Sequence, residues 1–269
     1  MTRENEDKAR ETTSPKELEE LAMDEDVEVR TEVAKNENTP LPVLEKLSKD
    51  RKMIIRDCVA GNRKTPVSVL EKLSKDKKTS VRVGVAQNQY TPVSLLEKLA
   101  DDEDEEVCLY VSKNENTPVS LMEKLKDKSE VVRMYLATDT VSASELEKLA
   151  VDESESVRQN VAGNSNITVS LLEKLADDED EFVRHSVAYN RISPISLLEK
   201  LAKDDNEDVR QAVVQNEKTP VSVLEKLAGD ENEDVRREVA GNLNTPVSVL
   251  EKLAEDKDEW VREAAKEIL

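Results

Sequence analysis

From Ser14 onward the chain repeats itself about every 26 residues, and no other property of the sequence restricts its fold as strongly. A phrase close to VRxxVAxNxxTPVSxLEKLAxD recurs to the carboxyl terminus. Its marker arginine stands at Arg30, Arg56, Arg82, Arg133, Arg158, Arg184, Arg210, Arg236 and Arg262, with Cys108 in its place once. Successive spacings are 26 residues, except for 25 on either side of Arg133. A unit this short has too little apolar surface to be stable alone and completes its core by stacking on its neighbours.

Each unit holds two helical phrases. Thr39-Pro40, Thr65-Pro66, Thr91-Pro92, Thr117-Pro118, Thr219-Pro220 and Thr245-Pro246 each place a hydroxyl before a proline, which reads as a capped helix start. In the phrase that follows, residues such as Val67, Val69, Leu70 and Leu73 keep to one helical face while Glu71 and Lys72 point outward. The second phrase begins after an acidic loop, runs through Val81, Val85 and Ala86, and stops at an asparagine such as Asn88, read as a left-handed C-terminal residue. Apolar spacings of three and four, never two, exclude strands. The prediction is all-α: a right-handed α-solenoid of about ten two-helix repeats forming one domain over residues 14–269. One helix of each pair is short enough to be 3₁₀. Residues 1–13 are expected to be a frayed polar lead.

Composition sharpens this. Aromatic residues make up 2% of the chain and charged residues 37%, which suits a thin helical stack better than a deep globule. A net charge of −20 with no basic stripe argues against nucleic acid and anionic membranes. No apolar run approaches the roughly eighteen residues of a membrane span, and MTRENEDKARETT lacks the apolar region of a signal peptide, so a cytoplasmic monomer is expected. Cys58 and Cys108 lie in no metal-binding spacing, and with His185 as the sole histidine no cofactor is expected.

The unit VRREVAGNLNTPVSVLEKLAED, residues 235–256, resembles the leucine-rich repeat variant family, which pairs short helices without a sheet. It also looks like a shortened HEAT repeat. An aspartate six residues before the arginine (Asp24 and Arg30, Asp50 and Arg56, Asp230 and Arg236, Asp256 and Arg262) matches the Asp–Arg ladder of that class. Some members of the variant family carry a cysteine-rich iron–sulphur module ahead of the repeats; residues 1–57 contain no cysteine, so the resemblance does not extend to it.

Three patterns invite a chemical reading. The Asp/Arg/Asn series recurs in nearly every repeat, which fits solenoid maintenance better than catalysis, with an asparagine ladder gripping a peptide main chain as the alternative. The acidic runs Asp101–Glu106 and Asp177–Glu181 lack the glycine and terminal glutamate of a calcium loop and read as solvated helix-start charge. His185 has Tyr189 rather than a carboxylate or nucleophile on its helix turn, and five glycines supply no phosphate-cradling loop, so no enzyme is expected.

What varies between repeats is more telling. At about 100° per residue, the positions one before, three after and four after the arginine define a core arc near −40°, and those one, two and five after it centre near 140°, opposite. Those outward positions are charged or small near the ends (Thr31, Glu32 and Lys35; Arg237, Glu238 and Gly241) and hold three of the four tyrosines in the middle. The same middle is irregular: Cys108 replaces the arginine, Ser112 the alanine, and the proline is missing at Ser142 and Thr168. Leu109, Tyr110, Met134, Tyr135, His185 and Tyr189 are therefore the candidate surface, expected to line one continuous concave face that binds a protein or peptide. A structural or engineered consensus solenoid without a partner is the alternative, and a nucleic-acid-binding repeat the third reading.

Overall fold

A computed structural model describes residues 2–269. Among them it contains twenty-one α-helices and no strand. The chain divides into two compact units, Met1–Val132 and Arg133–Leu269. The first contains α1 (Thr2–Glu11), α2 (Pro15–Leu21), α3 (Val27–Lys35), α4 (Leu41–Leu47), α5 (Met53–Gly61), α6 (Val67–Leu73), α7 (Thr79–Gln87), α8 (Val93–Leu99), α9 (Glu105–Lys113) and α10 (Val119–Lys128). The division falls inside α11 (Glu130–Asp139). The second unit continues with α12 (Ala143–Leu149), α13 (Glu155–Gly163), α14 (Val169–Leu175), α15 (Glu181–Tyr189), α16 (Ile195–Leu201), α17 (Glu207–Gln215), α18 (Val221–Leu227), α19 (Glu233–Gly241), α20 (Val247–Leu253) and α21 (Glu259–Ile268). Each unit is a helical-repeat stack, an α-solenoid, in which both helices of a repeat are α.

The core follows the arc read from the sequence. Val209, Val213 and Val214 on α17 and Leu197, Leu198 and Leu201 on α16 are buried, and the equivalents recur in every regular repeat. Successive second helices, such as α13, α15 and α17, pack side by side. At one such contact the approach is close enough to demand a glycine: a Cβ on Gly84 would lie 2.9 Å from Asp57 Oδ1, 3.0 Å from the Ala60 Cβ and 3.3 Å from the Asp57 carbonyl. Gly84→Ala should therefore lose about 1–3 kcal/mol in chemical denaturation, despite the better helix propensity of alanine.

Two ladders of side chains tie the repeats together. In the first, each arginine reaches both ways. Arg210 donates from Nε and Nη2 to the two carboxylate oxygens of Asp230, both at 2.8 Å, and from Nη1 to the Asp204 carbonyl at 2.8 Å. The aspartate six residues back thus supplies its main chain, and the aspartate of the following repeat supplies its carboxylate. The pairs are Arg30–Asp50, Arg56–Asp76 and Arg82–Asp102 in the first unit. In the second they are Arg133–Asp152, Arg158–Asp178, Arg184–Asp204, Arg210–Asp230 and Arg236–Asp256. Asp24 instead accepts from Asn5, and Arg262 donates to the Asp256 and Lys257 carbonyls.

The second ladder is made by the asparagines. Asn190 Nδ2 donates to the Ala162 carbonyl at 2.7 Å and the Asn164 carbonyl at 3.3 Å in the preceding repeat, while its Oδ1 accepts the Ile192 N–H. Asn36, Asn62, Asn88, Asn114, Asn164 and Asn216 do the same. None of these residues is left-handed. Asn190 ends α15 at φ −65°, ψ 128°, and no non-glycine residue among those described has positive φ. The helix stops because the asparagine side chain captures the next turn and the previous repeat, not because its backbone inverts.

The threonines also differ from their sequence reading. Before a proline, the proline itself is the N-cap and the threonine turns back: Thr39 Oγ1 donates to the Val33 carbonyl at 2.6 Å and Thr91 Oγ1 to Val85 at 2.6 Å. Side-chain capping appears where that proline is missing, with Ser142 and Thr168 accepting the Glu145 and Leu171 N–H groups.

The polar lead expected to fray is helix α1. Its Ala9 is fully buried, and Asn36 takes the carbonyls of Ala9 and Arg10 at its end and of Thr12 just beyond it. A repeat whose asparagine rung needs carbonyls to bond will order a preceding helix even when that helix is polar.

Where Cys108 replaces arginine, the lost cation is supplied from the other side. Helix α10 runs on to Lys128, at the position an aspartate would hold twenty residues after the marker. Lys128 Nζ donates to the Ala100 and Asp102 carbonyls at 3.0 and 3.3 Å, beside the Cys108 thiol at 3.5 and 3.8 Å from the same oxygens.

Candidate functional site

The ladders remove several candidates. Asn62, Asn88, Asn114, Asn190 and Asn216 each donate twice from the side-chain amide within the stack, so they cannot grip a peptide main chain. Within the acidic runs, Asp102 and Asp178 are ladder rungs, and Asp104 and Asp180 are N-caps accepting the N–H groups of Glu106 and Phe182. Burial alone would raise the Asp178 carboxyl, but the Arg158 guanidinium and the Asp180 N–H outweigh it and hold the group below its ordinary range. Burial pushes the Cys58 and Cys108 thiols up, away from the nucleophilic thiolate. No group of three or more His, Cys, Asp or Glu side chains among the described residues is arranged to hold a metal. No helix among them is long and apolar enough to cross a membrane.

The outward face of the second helices is divided by their packing. Positions one and two after the arginine lie on the flanks of the outward arc, and neighbouring helices half-cover them: Leu109, Tyr110, Met134, Tyr135 and His185 are all half-buried. Only the fifth position is open, as at Tyr189, 59% exposed. The position two before the arginine, near 160° by the same rotation, also lies at the centre of that arc. The angular reading omitted it, and it holds Phe182, 54% exposed.

The predicted residues fall on α9, α11 and α15. In the first unit, Leu109 and Tyr110 sit on α9, with Lys113 Nζ 5.4 Å from the Tyr110 ring centre. In the second, Met134 packs on the core and Tyr135 OH donates to Asp139 at 3.2 Å. His185 and Tyr189 come together: their rings stack 6.3 Å apart, 12° from parallel.

That pair forms one wall of a cavity of about 390 Å³ between α13 and α15. Gln159 and Gly163 face it from α13, and Ile192 closes it from the turn after α15. A Cβ on Gly163 would meet nothing within 4 Å, so the cavity is open above the end of α13. Asp180 starts α15 by accepting from Phe182 and Val183, and Asn190 stops it, so Phe182, His185, Ser186 and Tyr189 are set on one face.

At positions one, two and five after the arginine, the residues around this cavity include no ionisable acid or base other than His185 and Tyr189: Gln159, Asn160 and Gly163 on α13, His185, Ser186 and Tyr189 on α15, and Gln211, Gln215 and the buried Ala212 on α17. In a chain that is 37% charged this is a local depletion, not a background. The position two before the arginine holds Ser156, Phe182 and the acidic Asp208, and Arg191 lines the cavity from the turn after α15.

No family model matches the chain, and no curated protein matches it. Among solved structures, it is similar to a leucine-rich repeat variant with a novel repetitive structural motif at 24% identity and a TM-score of 0.46, over 90% of this chain and 83% of that one. It is similar to YIBA_ECOLI at 19% identity and a TM-score of 0.36, over 98% and 94% of the two chains. A computationally designed armadillo repeat protein for modular peptide recognition aligns at 20% identity and a TM-score of 0.23, over 84% and 97%. Likeness of this degree carries no argument about function.

Proposed function

We propose that the chain is a non-enzymatic scaffold that binds a protein or peptide on the outward face of α13, α15 and α17. The observation that carries this is the charge-depleted strip of positions one, two and five after the arginine, with exposed Tyr189 on it and exposed Phe182 beside it, set in a strongly acidic protein. Interface centres are depleted of charge and enriched in aromatic residues, and such residues give a large contact area at low entropy cost. The ladder arginines support the same reading from the other side. They are mostly buried and carboxylate-paired, which leaves them unable to gather nucleic-acid phosphates. The carboxylates they hold are fixed as anions in a structural role, which leaves no prepared acid or base pair at the strip.

Phe182→Ala with Tyr189→Ala tests the proposal. Both rings are more than half exposed, so the thermal midpoint should move by no more than about 2–4 °C, the shift that corresponds to roughly 1 kcal/mol. A partner retained by the immobilised parent protein should be lost by the double variant, since truncating an aromatic anchor typically removes about 2 kcal/mol or more of binding. Retention of the same partner by a folded double variant would overturn the proposal.

A further inference from the structure

We infer that the strip takes an extended peptide segment that seats one uncharged aromatic or aliphatic side chain between α13 and α15 and carries Lys or Arg on its flanks. This rests on the protein-binding reading above and names the partner's chemistry.

The cavity sets the central residue. At about 390 Å³ it is near the lower end of ligand pockets, enough for one large side chain and its adjoining main chain. Its walls are the stacked His185 and Tyr189 rings and Ile192, while Arg191 on the same wall repels a buried cation. No carboxylate lines it, so a charged side chain finds no partner of opposite sign except an acid at Arg191, and the acidic surroundings disfavour that choice.

The amides set the conformation. The side-chain amides of Gln159 and Gln215 make no hydrogen bond among the described residues, whereas those of Asn190 and Asn216 are fully used. Free carboxamides that both donate and accept suit a partner whose main chain is itself unpaired. An extended segment has such a main chain; a helix has already bonded its own.

The first turns set the flanks. The helices that carry the neutral strip begin in acid: Glu155 on α13, Glu181 on α15, and Glu207 with Asp208 on α17. No lysine or arginine pairs with Glu155, Glu181, Glu207 or Asp208 among the described ion pairs. Packed helices lie about 8–10 Å apart and an extended chain advances about 3.3 Å per residue, so about six residues span from α13 to α17 and basic residues on either side of the seated one reach the outer acidic turns. A second copy of this chain would bring a further −20 to this edge, and an anionic membrane would be repelled by it.

The test is fluorescence anisotropy on the full chain with the labelled peptide Lys-Arg-Gly-Ser-Trp-Leu-Ser-Gly-Arg-Lys. Two controls accompany it, one with Trp and Leu replaced by Ser and one with the basic flanks replaced by Asp and Glu. Binding of the first peptide should weaken at least tenfold in the first control and vanish in the second. Gly163→Leu adds a side chain at the edge of the cavity, where a Cβ meets nothing within 4 Å, and should weaken binding at least tenfold. Gly241→Leu, at the same position of α19 and equally free of neighbours, should leave it unchanged. Equal binding by the parent protein and Gly163→Leu would overturn the seat between α13 and α15, as would equal binding by the Ser control. Binding of the acidic-flanked peptide that Gly163→Leu abolishes overturns the basic flanks while leaving the surface itself standing. No binding of any peptide overturns the extended-segment assignment, and the Phe182/Tyr189 capture experiment then decides the broader function separately.

Discussion

Arg210→Met should destabilise the protein by about 3–5 kcal/mol in urea or thermal unfolding, because it strands the Asp230 carboxylate in a nearly closed site. Both members of the pair are 8% exposed at the side chain, and the same substitution also orphans the Asp204 and Asp205 carbonyls that Nη1 serves. Adding Asp230→Leu should recover a large part of the loss, since a buried ion pair and an apolar pair of similar volume are often of comparable stability. If the double variant is no better than the single one, the carbonyl contacts rather than the ion pair dominate the rung. The ladder also predicts an acid limb. In Asp230, burial would raise the carboxyl, but Arg210 and the Asn232 N–H outweigh it, so its folded pKa lies below the ordinary 3.8. Asp50, Asp76, Asp102, Asp178, Asp204 and Asp256 are lowered as well. A carboxyl depressed by folding contributes stability that is fully present above its unfolded pKa and lost as pH falls through its folded one. The thermal midpoint should therefore be nearly flat above about pH 5 and fall steeply below about pH 4, less steeply once Asp230 is Leu.

Much of this fold is legible from residue types and spacing, because a solenoid uses the same local solution again and again. Period, helix pairing and core arc all follow from where Val, Leu and Ala fall between Thr-Pro and Asn. What the spacing does not disclose is direction. Thr39 and Asn36 are near helix boundaries in the sequence, and both suggest local capping. In the structure one bonds the preceding helix and the other bonds the previous repeat. Likewise α1 has almost no apolar signal; it is held by the buried Ala9, by Asn5 on Asp24 and Arg10 on Glu32, and by the carbonyls that Asn36 takes. At the candidate site, rotation about a lone helix overestimates exposure on the flanks, since it omits the neighbours that half-bury Met134 and Tyr135. The same rotation, carried two residues upstream, would have included Phe182.

The residue types of the two ladders change near the point where the chain divides. Cys108 has no guanidinium and Asp139, six residues after Arg133, has no side-chain amide, so the residue types of both rungs are missing together once in the sequence. Each unit then opens alike. Ser14 accepts the Glu17 N–H and Ser142 the Glu145 N–H. Asn36 takes the carbonyls of Ala9, Arg10 and Thr12, as Asn164 takes those of Ala137, Thr138 and Thr140. The segment around residue 140 thus repeats the hydrogen-bonding pattern of the first unit's opening.

Asn190→Asp should be among the most damaging isosteric changes in the protein. The asparagine supplies two donors to the carbonyls of Ala162 and Asn164 and one acceptor to the Ile192 N–H. A carboxylate keeps the acceptor but sets an anion against two carbonyl oxygens, both buried with Asn190 between repeats. Each stranded group costs roughly 1–3 kcal/mol, so a loss of about 2–4 kcal/mol is expected at pH 7. The sign of its pH dependence separates this from a packing defect. Protonated, the introduced acid regains one O–H donor, so folding raises its pKa. Its penalty relative to the parent should be full above that raised pKa and shrink as pH falls through it. This trend is opposite to that of the Asp230 rung, and the difference in denaturation midpoint between Asn190→Asp and the parent, measured from pH 8 to pH 5, reads it directly. A gap that stays constant over that range, or widens toward acid, would show that the rung does not depend on the amide donors.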